Sequence, residues 1–175
     1  VTTNLRFRAA RAEDVPAIVA LVESAYRGDA SRAGWTTEAD LLDGQRTDAR
    51  EIAELLATPR ARLVLAERDD ALLGCVVVKD EGESAYLGML SVRPTLQGGG
   101  VGRALVAEAE RVARDELGRG AMRMTVITQR AELIAWYARL GYAPTGETEP
   151  FPYGDARFGL PRRDDLVFVV LKKAL

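Results

Sequence analysis

The sequence contains no histidine and a single cysteine. Without histidine, Ser-His and Cys-His nucleophilic catalysis are excluded, and a zinc site loses its commonest ligand, so no metal is expected. Acid–base work must fall to Asp, Glu, Tyr, Lys, the lone thiol or water. One cysteine cannot close an internal disulfide, which suits a cytoplasmic protein. Cys75 sits in the run Leu72-Leu73-Gly74-Cys75-Val76-Val77-Val78, which fits a buried strand, so it reads as a core thiol rather than a nucleophile. No apolar run approaches the ~20 residues that span a bilayer, and the start is not laid out as a signal peptide. The chain begins at Val1 without Met, as expected of a trimmed N-terminus. An excess of one charge is also missing. The net charge is −2 with both signs interspersed, so the basic patch of a nucleic-acid binder is absent. What remains is an ordinary soluble composition, 47% hydrophobic and 29% charged. The 175 residues are expected to form one domain, residues 1–175, large enough to bury about two thirds of its unfolded surface.

Periodicity gives a mixed α+β plan. Leu5 to Ala9 alternates as a strand. Glu13, Asp14 and Pro16 open a helix that runs to Tyr26. Arg27 to Trp35 reads as a loop. A second helical region is expected from Thr36 or Thr37, breaking at Gly44 and resuming after Asp48 to Ala57. Arg62 to Arg68 and Leu72 to Lys79 form a hairpin about Asp69-Asp70, and Ala85 to Val92 is a third consecutive strand. A helix from Val101 to Leu117 buries Val101, Leu105, Ala109 and Val112 and pairs Glu110 with Arg114 on its other face. Met122 to Ile127 is a strand, Ala131 to Leu140 a short helix, Glu147 to Arg163 a long ordered loop, and Leu166 to Leu171 a terminal strand.

The run Gln97-Gly98-Gly99-Gly100-Val101-Gly102 joins the strand ending at Val92 to the helix starting at Val101. Glycines let a backbone approach a ligand closely, and a helix start offers unpaired N–H groups and a positive dipole end. Together they form a place for a pyrophosphate, although three adjacent glycines also fit a plain flexible loop. A nucleotide-triphosphate loop would need Lys and then Ser or Thr after the last glycine, where Arg103-Ala104 stand. A dinucleotide fold would need an acid after the next strand, which ends in Thr128-Gln129-Arg130.

With these residues placed, the chain resembles the GNAT superfamily of acyl-CoA-dependent N-acyltransferases. Gln97, Gly100 and Gly102 fit the family's Gln/Arg-x-x-Gly-x-Gly/Ala phosphate-binding signature, and Leu90-Ser91-Val92-Arg93-Pro94 looks like its approach strand. Ala135-Trp136-Tyr137-Ala138-Arg139-Leu140-Gly141-Tyr142 is similar to a later aromatic element of the family. The resemblance covers nearly the whole chain. It implies a three-layer fold: a central twisted, mostly antiparallel mixed sheet of about seven strands, splayed between the fourth and fifth, flanked by about four helices.

The resemblance also implies acetyl-CoA as cofactor, with its pantetheine arm in the splay. Backbone N–H groups of Gly98, Gly99, Gly100, Val101, Gly102 and Arg103 would hold the pyrophosphate. Leu90, Ser91 and Val92 would flank pantetheine, and the N–H near Val92 would polarise the thioester carbonyl. Arg103 would add charge near the phosphates or stand solvated. Tyr137 would be the general acid for the leaving thiolate, since a phenol keeps its proton at neutral pH. Seven residues before it the family often carries Asn, where this chain has Arg130; a guanidinium cannot accept a hydrogen bond, so that cofactor contact differs.

The implied activity is transfer of acetyl to a primary amine of a small molecule, amino acid or peptide. Protein N-terminal or lysine acetylation, and a non-catalytic acyl-CoA sensor, are the competing readings. Glu23, Glu38, Glu149 and Asp155 are candidate bases beside a water relay or direct entry of the free amine. The acceptor site is expected between residues 27 and 57 and in the Glu147–Arg163 loop, with Tyr26, Trp35, Glu38, Glu149, Tyr153 and Asp155 as candidate contacts. Acids there would cup a cationic amine, and Arg157, Arg162 and Arg163 would equally bind a carboxylate. Pairing into a homodimer is left open, with the terminal strand as a candidate contact.

Overall fold

The computed structural model describes residues 4–175; Val1, where the trimmed start is expected, lies outside the described residues. Seven strands form one sheet: β1 (Arg6–Ala9), β2 (Ala61–Arg68), β3 (Ala71–Asp80), β4 (Ala85–Val92), β5 (Ala121–Ile127), β6 (Ala143–Pro150) and β7 (Val167–Ala174). Their spatial order is β1-β2-β3-β4-β5-β7-β6. Every neighbouring pair is antiparallel except β4 and β5, which run parallel. That parallel pairing is limited to Ala85–Met122 and Tyr86–Arg123, after which the two strands part, giving the expected splay.

Local chemistry sets these elements. Asp69 and Asp70 both adopt positive φ, 50° and 59°, as a two-residue hairpin between β2 and β3 requires. In β4, Ser91 faces Cys75 while Gly88 faces Val77, so β4 carries one extra residue across that step. Met89, at φ 53°, absorbs this bulge, and the strand turns there away from its parallel neighbour.

Alternation along β2 and β3 feeds two apolar layers. Leu63, Leu65, Cys75 and Val77 pack beneath α1 (Val15–Tyr26) and α2 (Ala49–Ala57). Val64, Ala66, Val76 and Val78 pack beneath α3 (Val101–Arg111) together with Leu133 and Tyr137 of α4 (Ala131–Arg139). Val101, Leu105, Ala109 and Val112 are buried as their spacing predicts. Asp48 caps α2 by accepting the Glu51 N–H at 2.8 Å. Cys75 is a core thiol: burial pushes its pKa up to about 12.

Four expectations change. Residues 36–41 form no helix, and Leu42–Asp43 pair instead with Leu160–Pro161 in a two-residue ladder. Residues 28–31, read as loop, wind one helical turn. Glu147–Pro150 belong to β6 rather than to the following loop; this strand is mostly exposed and lacks the apolar alternation that reveals a strand. Glu110 accepts from Tyr142 Oη at 2.9 Å and Lys173 Nζ at 2.8 Å, so it is turned into the fold instead of pairing with Arg114. The terminal strand β7 lies between β5 and β6 with both edges paired, so a contact with a second copy through it would use a face of the sheet. Among the described residues no helix is long and apolar enough to cross a membrane.

Candidate active site

The glycine loop leaves β4 through a single turn at Pro94–Leu96. Gly98 and Gly100 take φ of 86° and 89°, the left-handed region that glycine enters without a Cβ penalty. Gly100 is the N-cap of α3 and its carbonyl accepts the first helical bond, from Ala104 N at 3.0 Å. The N–H groups of Val101, Gly102 and Arg103 therefore have no acceptor within the helix. Gln97 is spent inside the protein. Its Oε1 accepts from Trp35 N at 2.8 Å and Thr36 N at 3.2 Å, and its Nε2 donates to Thr36 Oγ1 at 2.7 Å and Val92 O at 3.1 Å. It staples the 35–36 segment to the glycine loop.

Above this loop lies a cavity of about 410 Å³, walled by Trp35, Thr36, Val92, Gly98, Gly100, Gly102, Arg103 and Trp136. A second cavity, of about 300 Å³, opens between β4, β5, α2 and the 151–168 segment. Both cavities are lined by Tyr26, Leu90, Leu133 and Tyr137, so they meet there. Tyr26 Oη donates to the Leu90 carbonyl at this junction. Arg93 N donates to Leu73 O in β3 at 2.9 Å, so by alternation the Val92 N–H is turned into the splay.

Tyr137 is 5% exposed, edge-on to Trp136 at 4.9 Å and to Tyr142 at 5.8 Å between ring centroids. Burial lifts its phenol well above the ordinary range; Tyr26 and Tyr86 add to this and Arg130 opposes it. The group keeps its proton at any physiological pH.

Glu38 lies between two guanidinium groups in the second cavity. Arg27 Nη1 donates to Glu38 Oε2, and Arg130 Nη1 donates to Oε1 at 2.9 Å, while Arg130 Nη2 also donates to Thr36 O at 2.6 Å. Burial alone would raise the Glu38 carboxyl, but Arg130 and Arg27 outweigh it and hold it below the usual carboxylate range.

The predicted contacts sort themselves around these cavities. Leu90, Val92, Gly98, Gly100, Gly102 and Arg103 line the first, as does Trp35, placed in sequence at the acceptor site. Ser91 is buried and its Oγ donates back to Met89 O at 3.1 Å, so the side chain is turned away. Gly99 and Val101 are in the loop but off the cavity wall, and the Val101 side chain is in the core. Arg130 lines the second cavity rather than the one beside the glycines.

Three acceptor candidates fall outside both cavities. Glu149 pairs with Arg123 at 3.0 Å, Asp155 pairs with Arg157 at 2.7 Å, and the Tyr153 hydroxyl is bonded to the backbone of Arg163 and Leu166. Glu23 accepts from the backbone of Arg46 and Thr47. Of the candidate bases only Glu38 lines a cavity, and its lowered pKa makes it a poor one. Arg157, Arg162 and Arg163 are likewise absent from the cavity walls. The cations that do line the second cavity, Arg27, Arg46, Lys79 and Arg130, were not read as acceptor contacts; no local pattern marks them, because distant segments bring them together.

Known proteins share this fold. The family model described as the acetyltransferase (GNAT) family matches residues 20–142. An IAA acetyltransferase of Azospirillum brasilense is 34% identical over 104 residues, a match spanning 58% of this chain and 65% of that relative's length. Among solved structures, the ribosomal-protein-alanine N-acetyltransferase of Brucella melitensis superposes with a TM-score of 0.72 at 22% identity, over 97% of this chain and 99% of that one. A Salmonella typhimurium structure solved with its cofactor acetyl-CoA gives 0.68 at 20% identity, over 99% and 95% of the two chains. At these identities the structural likenesses speak for the fold alone.

Proposed function

The chain belongs to the acetyltransferase (GNAT) family, and on that premise we propose that it transfers acetyl from acetyl-CoA to a primary amine by direct attack, with both ligands bound together. One observation carries this reading: two cavities, one floored by the glycine loop and one beyond the splay, converge on Tyr137.

The residues fit acetyl-CoA. A Cβ built on Gly98 meets nothing within 4 Å, so its side of the loop is open, and a Cβ on Gly102 would stand 3.6 Å from Trp136 and Val92. The N–H groups of the loop and of the first turn of α3 would hold the pyrophosphate. When bound, acetyl-CoA supplies a thioester whose C–S bond is exchanged for a C–N bond to the amine, with a thiolate leaving. The Val92 N–H is aimed where a carbonyl oxygen lying in the splay would gather charge. Tyr137 holds a proton for the leaving sulfur and regains it from solvent. Glu38 is ionised by its two arginines, and Glu51, the other acid of the acceptor wall, accepts from Thr47 Oγ1 at 2.6 Å. The amine therefore enters neutral or loses its proton to water.

The two-residue ladder between Leu42–Asp43 and Leu160–Pro161 ties together the segments flanking the acceptor cavity. That supports a small acceptor over a protein tail. The test is thiol release from acetyl-CoA across amines, amino acids, polyamines and short peptides. Stimulation by one class is expected. Binding of acetyl-CoA with no stimulation by any of them would favour the acyl-CoA sensor instead.

A further inference from the structure

We infer that the acceptor is a small amine carrying an oxyanion group, of which a free amino acid is the simplest case, and that Arg46 is the residue that reads the anion. This rests on the acetyl-transfer reading and names its substrate class.

The acceptor cavity is cationic. Its charged lining is Arg27, Arg46, Lys79 and Arg130 against Glu38 and Glu51, four positive groups to two negative. Glu38 is already shared between Arg27 and Arg130. Arg46 makes no close ion pair with a carboxylate among the described residues and acts on Glu38 only at longer range; its guanidinium stands 5.7 Å from the centroid of the Tyr26 ring. Half-buried arginine without an anion gives up hydration and gains little in return, so charged groups taken from water are normally paired. Arg27 is paired with Glu38 through Nη1, yet it is 6% exposed and its Nε is buried without a hydrogen-bond partner.

The position of Arg46 is built. Its backbone N–H and that of Thr47 both donate to Glu23 Oε1, at 2.6 and 2.8 Å, which fixes the segment against α1. Arg46 and Arg130 both stand 5.7 Å from the Tyr26 ring centroid, and Tyr26 is one of the residues where the two cavities meet. An anion held by Arg46 thus sits on the acceptor side of Tyr137, leaving the amine of the same small molecule free to point at the junction. A guanidinium donates to carboxylate or phosphonate in a forked geometry that a lysine ammonium cannot offer. The same wall repels a polyamine.

The experiment compares matched acceptors on the intact protein: an apolar amino acid, its aminophosphonic analogue, its amide and the corresponding amine without the acid. The wild type is expected to prefer the two anionic members over the two neutral ones by at least about tenfold in kcat/KM. Arg46→Ala should collapse that ratio by about 10- to 100-fold, mainly through KM, and Arg46→Lys should restore part of it. Equal use of carboxylate and phosphonate places the recognition in charge alone; preference for one names the anion. A second readout is independent of rate: the N-acetyl amino acid should bind the protein–coenzyme A complex in calorimetry, its amide should not, and Arg46→Ala should abolish the difference.

Neutral amines used as well as anionic ones, or a ratio unmoved in Arg46→Ala, would overturn the assignment while acetyl transfer stands. An acetylated product that fails to bind whatever its charge would overturn it too. No turnover of any amine and no binding of acetyl-CoA would instead remove the acetyl-transfer reading, and this inference with it.

Discussion

The Tyr26 hydroxyl donates to the carbonyl of Leu90, tying the last turn of α1 to β4 one residue past its bulge at Met89. The bond lies where the two cavities meet, so it is both a structural tie and part of the junction wall. Burial lifts the Tyr26 phenol above its ordinary range, so it remains a donor. Tyr26→Phe leaves the ring in place and the Leu90 carbonyl without this partner. It should lower unfolding stability by about 1–3 kcal/mol, read from urea denaturation. A midpoint equal to wild type would mean that water replaces the hydroxyl at no cost.

Tyr137→Phe isolates the proposed proton donor from packing. The ring contacts with Trp136 and Tyr142 survive, so acetyl-CoA affinity should stay within about twofold while kcat falls by about 10²- to 10⁴-fold. Burial places the phenol far above its ordinary value of 10.0. The wild-type kcat should therefore rise as the amine loses its proton and show no loss near that pH. A fall in kcat near the ordinary phenol value would mean that solvent reaches the hydroxyl during turnover.

Local signals in the sequence carry most of the fold. Asp69-Asp70 between two apolar runs marks the hairpin, Asp48 the residue after which α2 starts, and the spacing of Val101, Leu105, Ala109 and Val112 the buried face of α3. Strand β6 escaped because Pro144, Gly146 and mostly exposed side chains carry no period-two signal. The helix expected from Thr36 fails because tertiary partners claim its opening residues. Thr37 Oγ1 bonds Ser31 Oγ at 2.6 Å, and Glu38 is held by Arg27 and Arg130. The site divides in the same way. The glycine loop and Tyr137 are contiguous motifs and were visible. The wall of the second cavity, the proposed acceptor site, is assembled from contacts such as Arg130 with Glu38, 92 residues apart, and no window of sequence contains both.

Glu38 should govern part of the acid sensitivity of the fold. Its folded pKa is depressed below the ordinary glutamate value of 4.5, so the unfolded chain takes up the proton first. The stabilisation is full above that ordinary value and is lost as pH falls through the lower folded one. Glu38→Gln removes this component and leaves Arg27 and Arg130 without their shared anion, costing about 3–5 kcal/mol at neutral pH. Chemical denaturation from neutral pH to pH 3 should show a shallower acid loss in the variant than in wild type. Parallel curves would assign the acid sensitivity to other lowered carboxyls, such as Asp14, Glu67 and Asp80.

Gly34 and Gln97 form a pair that a double-mutant cycle should expose. A Cβ added at Gly34 would fall 2.3 Å from Gln97 Oε1 and 2.6 Å from its Cδ, far inside contact distance. A free glutamine would swing aside at little cost, but this one is held by Trp35, Thr36 and Val92, so moving it breaks those bonds. Gly34→Ala should therefore act by dislodging Gln97. Alone, Gly34→Ala and Gln97→Ala should each destabilise by about 1–3 kcal/mol and weaken acetyl-CoA binding, because the 35–36 segment forms a wall of the cavity above the glycine loop. Together they should cost little more than Gln97→Ala, since the clash disappears with the amide. Additive losses in paired denaturation and binding measurements would mean that Gly34 is needed for its own backbone rather than for room beside Gln97.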